Sequence, residues 1–326
     1  MNVSAGVMLG EGTVCENSRM RRAPTAAPSP LNGALVAAAV ALQLAALFAL
    51  PLATHADPRW GLALVPIVLA TNTYWSLVHE AIHGMLFADR RINDAAGRLL
   101  GILFAAPFRP LRTGHLLHHR FSRTRRERTE VFDPARTPRW RAALAYYPRL
   151  LGGLYLAEVV VILAAAVPRR ALVALERRLE GDDTVAHLVV RALREPGARA
   201  ELRLDAAAIA ALYGASVALY GAHWWMLAAA LAGRAFLVSF ADNAYHYATP
   251  LDSPREAKNV RAPRWIEVAL LNFTLHGVHH LHPSLPWHAL RPRFLGARVG
   301  YDESWLGALA RQLRGPIAVD RLARRG

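Results

Sequence analysis

Three clusters of histidine constrain this chain more than any other feature. His276-Gly277-Val278-His279-His280 puts three imidazoles within five residues. A near copy lies upstream at His115-Leu116-Leu117-His118-His119, and His79-Glu80-Ala81-Ile82-His83 follows a long apolar segment. Positions i, i+3 and i+4 of a helix share a face, so each cluster can aim two or three ring nitrogens at one point. Neutral imidazole is the commonest protein ligand for transition metals. Eight such rings are too many for one four-coordinate ion and suit two. With 14 His in 326 residues, chance puts two H-x-x-H-H words in one chain roughly once in thousands. Reading them as surface histidines of amphipathic helices needs that coincidence.

Cysteine is nearly absent. Cys15 stands alone, which excludes disulfides, cysteine zinc sites and iron–sulfur clusters within the chain. A metal here must be held by His and oxygen ligands. The 39 Lys+Arg against 24 Asp+Glu give a net charge of +15. Such an excess fits nucleic acid or a membrane surface; the long apolar runs decide for the membrane and against nucleic acid. Arginine-rich, alanine-rich composition points to a bacterial cytoplasmic membrane.

The apolar runs set an expected all-α membrane architecture of two transmembrane hairpins. Residues 1–31 read as a disordered basic tail. Gly33–Ala53 is too long for a signal-peptide core and long enough to cross a bilayer. Trp60–Val78 returns, with tryptophans near both ends as interfacial anchors. Asp205–Phe240 is long enough for two more crossings, about 205–221 and 223–240, turning near Gly221-Ala222-His223. Leu150–Val167 could also cross. A fifth crossing would put the third histidine box on the opposite side from the first two, so this segment reads as a re-entrant or interfacial helix; the alternative, with Leu150–Val167 as a span and Asp205–Phe240 as one long helix, keeps parity but needs a helix of ~54 Å and puts the arginine loop outside. The arginines around the second box place the boxes and both termini in the cytosol. The domain is expected over 32–290, followed by an amphipathic cytosolic tail over 291–326.

His246 follows the last span as His79 and His83 follow the second. Nine histidines then converge on one face: His79, His83, His115, His118, His119, His246, His276, His279 and His280. Among their neighbours, Asp242 reads as a helix cap or arginine partner, and Glu80 as a ligand-orienting or solvated carboxylate. The arginines after His119 read as a lipid-facing surface. His282 and His288 break the box spacing and read as structural; His55, His187 and His223 lie outside the clusters.

The order H-x-x-x-H, H-x-x-H-H, H-x-x-H-H, alternating with two hairpins, resembles the membrane fatty acid desaturase/hydroxylase superfamily. His79-Glu80-Ala81-Ile82-His83-Gly84 and His276-Gly277-Val278-His279-His280-Leu281-His282-Pro283 resemble its first and third boxes, and His246 resembles its additional ligand. The resemblance covers roughly Gly33–Leu290. It implies a His-coordinated centre of two Fe ions, O2 as co-substrate, a lipid or fatty acyl substrate, and a water-binding role near the metal for Asn243. No haem or cysteine redox motif is fused here, so the resemblance implies a separate electron donor, ferredoxin-like or cytochrome b5-like. Desaturases, lipid hydroxylases and carotenoid ketolases share these boxes, and a fold does not name a product.

Two readings compete. His79-Glu80-x-x-His83 also spells the H-E-x-x-H of a zinc protease, which would leave both H-x-x-H-H boxes and His246 without a role. A metal carrier would place polar ligands within the membrane along a path, whereas these spans are almost free of ionisable residues.

Overall fold

The computed structural model describes residues 26–180, 184–252 and 257–323. Most of the basic tail expected over 1–31, including Cys15, lies outside the described residues. The described part is mostly helical, with two two-residue parallel ladders pairing Val131–Phe132 with Ile317–Ala318 and Val260–Arg261 with Glu303–Ser304.

Three helical stretches are long and apolar enough to cross a membrane, or four if one bent pair counts as a span. The first, α1, is Asn32–Ala56. The bent pair is α2, Pro58–Leu69, and α3, Thr71–His83. The second run was expected as one helix over 60–78. Instead it bends by 45°, where Ala70 leaves helical geometry just after a turn that starts as a 3-10 helix at Pro58. The first box therefore sits on the last turns of α3, and Gly84, at φ 74°, stops the helix directly after His83. A left-handed residue there costs glycine little and other residues more.

Next come α4, Arg90–Leu103, and α5, Phe108–Phe121. Asp89 caps α4 by accepting from Arg91 N and Ile92 N, satisfying donors that the first turn leaves open. Helix α6, Arg139–Ala165, is apolar and kinked at Gly152, whose φ is 144°. Two short helices, α7 (Arg169–Glu180) and α8 (Ala186–Leu193), lead to α9, Pro196–Tyr220, and α10, Trp224–His246.

Helices α9 and α10 form one 51-residue apolar stretch, yet they fold back on each other. Arg234 Nη1 lies 3.2 Å from Tyr213 Oη, although 21 helical residues would separate them by ~31 Å along a straight helix. The turn is at Gly221, φ 52° and ψ −121°. Arg234 is buried and also reaches Gln43 Oε1 on α1 and the Leu103 carbonyl at the end of α4. One guanidinium thus ties both halves of the bundle together, a placement that requires partners for every buried charge.

The two halves run in step. At one end His55 Nε2 of α1 lies 2.7 Å from Leu219 O, beside the turn of α9 and α10. At the other end Asn32 meets Leu86 O and Trp287 Nε1, close to the histidine boxes. Helix α6 begins and ends at this second end. Tyr146 Oη accepts from Asn243 near the end of α10, and the Ala165 and Val167 carbonyls accept from Arg203 and Arg199 at the start of α9. Between these points α6 dips along α10, where Tyr155 N donates to Ser239 Oγ.

The remaining elements cap this end: α11, Arg264–Ala269; α12, His276–Leu281; α13, Trp287–Gly296; α14, Trp305–Arg311; and α15, Val319–Ala323. The boundary expected at 290 falls inside α13. The expected tail is also tied in: Gln312 is fully buried, donating to Phe240 O and accepting from Asn243. Only one face of α14 behaves as foreseen, with Leu306 exposed and Ala308 buried.

Candidate metal centre

The nine singled-out histidines come together as two groups. His79, His83, His115, His119 and His279 form one; His118, His246, His276 and His280 form the other. Within each group one ligand atom per residue lies within 4.8 Å of all the others.

Helix spacing explains the split. His79 and His83, His115 and His119, and His276 and His280 are i, i+4 pairs, and each pair serves one group. The i+3 members, His118 and His279, sit about 100° round their helices from the i+4 partners and cross to the other group. The second box thus gives two rings to the first group and one to the second, and the third box does the reverse.

The contacts between rings favour a cation. Nε2 atoms of His83 and His115, His115 and His119, and His119 and His279 are 3.0 Å apart. In the second group His118 and His246, His246 and His276, and His276 and His280 are 3.1 Å apart. His115, His119, His246 and His276 each face two other Nε2 atoms, and one ring nitrogen carries at most one proton. Protons cannot bridge every contact; a shared cation can. His79 Nε2 is buried with no protein partner, a free donor atom in the same group. Nitrogens held about 2.1 Å from one ion stand about 3.0 Å apart at right angles and about 3.4 Å apart in a tetrahedron. The observed spacing matches right-angle coordination, so these residues fit a five- or six-coordinate metal better than tetrahedral zinc.

The electrostatics keep most of the rings neutral, the form that ligates a metal. Burial, with neighbouring imidazoles adding to it, pushes His115, His119, His276 and His279 well below the usual histidine range. His118 goes the other way: burial lowers it, but the Glu127 carboxylate, 2.7 Å from its Nδ1, outweighs that and raises it. Glu127 accepts from Nδ1–H and leaves Nε2 facing the group, the outer-shell arrangement typical of ligand histidines.

Other expectations change. Asn243 does line a polar cavity with His118, His246, Glu127, Arg149 and Asp242. Its amide nitrogen, however, donates to Tyr146 Oη and Gln312 Oε1, leaving only Oδ1 for water. Asp242 caps no helix, but it lines the same cavity as Arg149, whose charge acts on it through space together with that of His118. Glu80 is buried rather than solvated and accepts from the Trp287 backbone N–H at 3.2 Å. Arg123, expected on a lipid-facing surface, is 2% exposed and paired with Glu130. His282 accepts from Arg293 Nε, consistent with its structural reading.

Sequence reasoning did not single out Phe273, and it read Trp75 as an interfacial anchor, whereas Trp75 is buried and both line the wall of the centre. The Phe273 ring packs 4.8 Å from His79 and 4.6 Å from His276, touching both groups. Trp75 stands edge-on to His115 at 6.3 Å. Only its place in an apolar run marked Phe273, and that signal is shared by the whole core.

Fold and site together define a class: an apolar helical membrane protein that gathers nine imidazoles into two adjacent ligand groups at one end of its helices. The chain belongs to the fatty acid desaturase family, whose model matches residues 58–305. That range takes in all three boxes and His246, and membership makes the protein an oxidoreductase of the desaturase/hydroxylase superfamily. No curated protein and no solved structure matches the chain.

Proposed function

We propose that this protein is an O2-dependent lipid desaturase whose nine histidines hold two irons. The observation that carries the reading is the division of those histidines into two adjacent groups with nitrogen separations of 3.0–3.1 Å. Such spacing suits a metal with more than four ligands, and all-nitrogen sites suit iron among the redox-active metals. Bound there, the iron pair would supply the oxidising power, drawn from O2, to attack an unactivated C–H bond. Overall, a –CH2–CH2– segment gives up two hydrogens, an external donor gives two electrons, solvent gives two protons, and O2 leaves as two waters.

The chain's own residues prepare this chemistry. His79, His83, His115, His119 and His279 would hold one iron, and His118, His246, His276 and His280 the other. Glu127 fixes the tautomer of His118. Phe273 and Tyr245 cover the rings with apolar surface and keep bulk water from the reacting carbon. The second group has four histidines to the first group's five, and Asn243 Oδ1 faces the cavity beside it as the partner of a water.

In the membrane, α1, the α2–α3 pair, α9 and α10 serve as four crossings. Helix α6 is re-entrant, because both its ends meet residues at one end of the α9–α10 hairpin. The arginine-rich end carries the boxes and faces the cytosol, where a ferredoxin-like or cytochrome b5-like donor supplies electrons. The zinc-protease reading uses one ion and leaves the His118–His246–His276–His280 group without a role, and the carboxylate it needs as a base, Glu80, is buried and accepts from Trp287 N.

The test is iron content and Mössbauer spectroscopy of the purified protein, followed by lipid turnover with O2 and a ferredoxin system. About two irons per chain and an alkene product support the reading. An alcohol or ketone product would move it to the hydroxylase or carotenoid-ketolase branch. One zinc and no iron after iron-replete expression would overturn it.

A further inference from the structure

Gln312 belongs to the chain after 290 that was expected as a surface tail, yet its side chain is fully buried beside α10. Its Nε2 donates to Phe240 O at 2.8 Å, its Oε1 accepts from Asn243 Nδ2 at 2.8 Å, and its backbone carbonyl accepts from Tyr146 Oη at 2.8 Å. Asn243 Nδ2 also donates to Tyr146 Oη at 3.1 Å.

Two backbone carbonyls fix the direction of this network. A carbonyl oxygen only accepts, so an atom 2.8 Å away must bring the hydrogen between them. The atom of Gln312 against Phe240 O is therefore its amide nitrogen, which leaves Oε1 towards Asn243. Tyr146 places its one hydroxyl hydrogen on Gln312 O and can only accept from Asn243. Asn243 thus faces two acceptors, and its two amide hydrogens match them. Turned the other way, the amide would set Oδ1 against two oxygens with no hydrogen to give, a cost comparable to losing both bonds.

We propose that Gln312 and Tyr146 are positioning residues for the metal centre: they lock the Asn243 amide so that it offers only the acceptor Oδ1 to the cavity beside His118 and His246. That cavity has about 30 Å³ of space for water centres, room for about two waters. Asn243 stands three residues before His246 on α10, so the two side chains share a face. The four-histidine group therefore meets a fixed acceptor on this side, and a small molecule held between them must donate. Water does so. Azide only accepts and meets Oδ1 unfavourably. Arg149, Glu127 and Asp242 also line the cavity, but they are common to parent and variants, so a comparison isolates the amide. The lock stands on the hydrogen bonds alone; its effect on a ligand of the centre rests on the two-iron reading.

The lock is tested by nuclear magnetic resonance of the zinc-substituted full chain, labelled with nitrogen-15 in asparagine only. The diamagnetic ion keeps the resonances sharp, and Asn243→Ala assigns the Asn243 side-chain amide by its loss. One of its hydrogens is expected to move upfield in Tyr146→Phe and the other in Gln312→Met. Resonances that stay in place in both variants would overturn the proposal.

The effect on the centre is read by titrating oxidised, iron-loaded protein with azide and following its absorption. In the double variant, Tyr146→Phe with Gln312→Met, the amide is free to turn and donate. Azide is expected to bind it about tenfold more tightly than the parent, the worth of one hydrogen bond to a charged group. Unchanged or weaker binding at unchanged iron content would overturn the proposal; a double variant that has lost its iron leaves the decision to the resonances of the single variants. Those resonances need no iron, so failure of the iron reading leaves that result standing. Two irons per chain with unmoved resonances sinks this inference alone.

Discussion

Arg123 and Glu130 form an ion pair at 2.6 Å with both side chains 2% exposed. The same guanidinium donates to Thr249 O and Pro250 O, and Glu130 Oε1 also accepts from Ala248 N. The pair clamps the chain just after the second box to the chain just after His246. It joins two ligands of one group, His118 and His246, that are 128 residues apart. Removing one partner of a buried pair leaves an uncompensated charge and costs ~3–5 kcal/mol. Arg123→Met is therefore expected to lower the melting temperature and to empty the His118–His246–His276–His280 group first. Metal analysis should fall from about two ions per chain towards one; full occupancy of both groups would show that the clamp does not position the ligands.

The crossing of the i+3 histidines makes a prediction about neighbours. His280→Ala should resemble His118→Ala, and His279→Ala should resemble His119→Ala, because each pair shares a group. Adjacent residues 279 and 280 should then remove different ions. Mössbauer spectra of the four variants, sorted by which iron signal is lost, check this grouping.

Gly277 has no room for a side chain. A Cβ there would stand 2.5 Å from Ala257 O and 2.9 Å from Asn259 Nδ2. Asn259 Oδ1 also accepts from Val278 N, so α12 is seated directly on the chain just before the Val260–Arg261 strand. Gly277→Ala should push the whole third box outward and abolish metal binding, although alanine is the better helix former. A variant that retains both metals would show that the strand yields.

Glu80 separates two mechanisms. Glu80→Gln keeps an oxygen to accept from Trp287 N, so metal content and lipid turnover should persist at near the parent level. Glu80→Ala leaves that buried N–H unpaired, a loss of ~1–3 kcal/mol that a thermal melt would read. Loss of all activity in the glutamine variant would restore Glu80 as a catalytic base.

Helices α7 and α8 are held by Glu176, which accepts from Arg191 and Arg194. Burial would raise this carboxyl, but the two guanidinium groups prevail and hold it below its ordinary value of 4.5. A carboxyl lowered in the folded state contributes stability that is present above about 4.5 and is lost as pH falls through the lowered value. Hydrogen-exchange protection in Arg169–Glu180 and Ala186–Leu193, taken relative to the intrinsic rate at each pH, should therefore fall below pH 4.5. Glu176→Gln should show the lower protection already at neutral pH and lose the pH dependence.

Much of this protein was legible because its signals are local. Apolar runs long enough for a bilayer gave the helices, and Gly221 marked the turn of the second hairpin because a left-handed residue breaks a helix wherever it stands. The histidine words gave the ligand candidates, since residues four apart share a face in any helix. The bend at Ala70, the inclusion of 291–323 in the body and the buried state of Arg123 and Glu80 were not legible. Each depends on what packs against a residue from far along the chain.

The metal centre shows where the two kinds of information divide. Sequence alone determined which nine imidazoles could meet and that i, i+4 pairs would act together, because helical periodicity is a property of one segment. Only the tertiary structure decided that His118 and His279 cross to the opposite groups. It also decided that Phe273 touches both groups. Those outcomes follow from the relative rotation and depth of α3, α5, α10 and α12, which long-range packing fixes and no local spacing encodes.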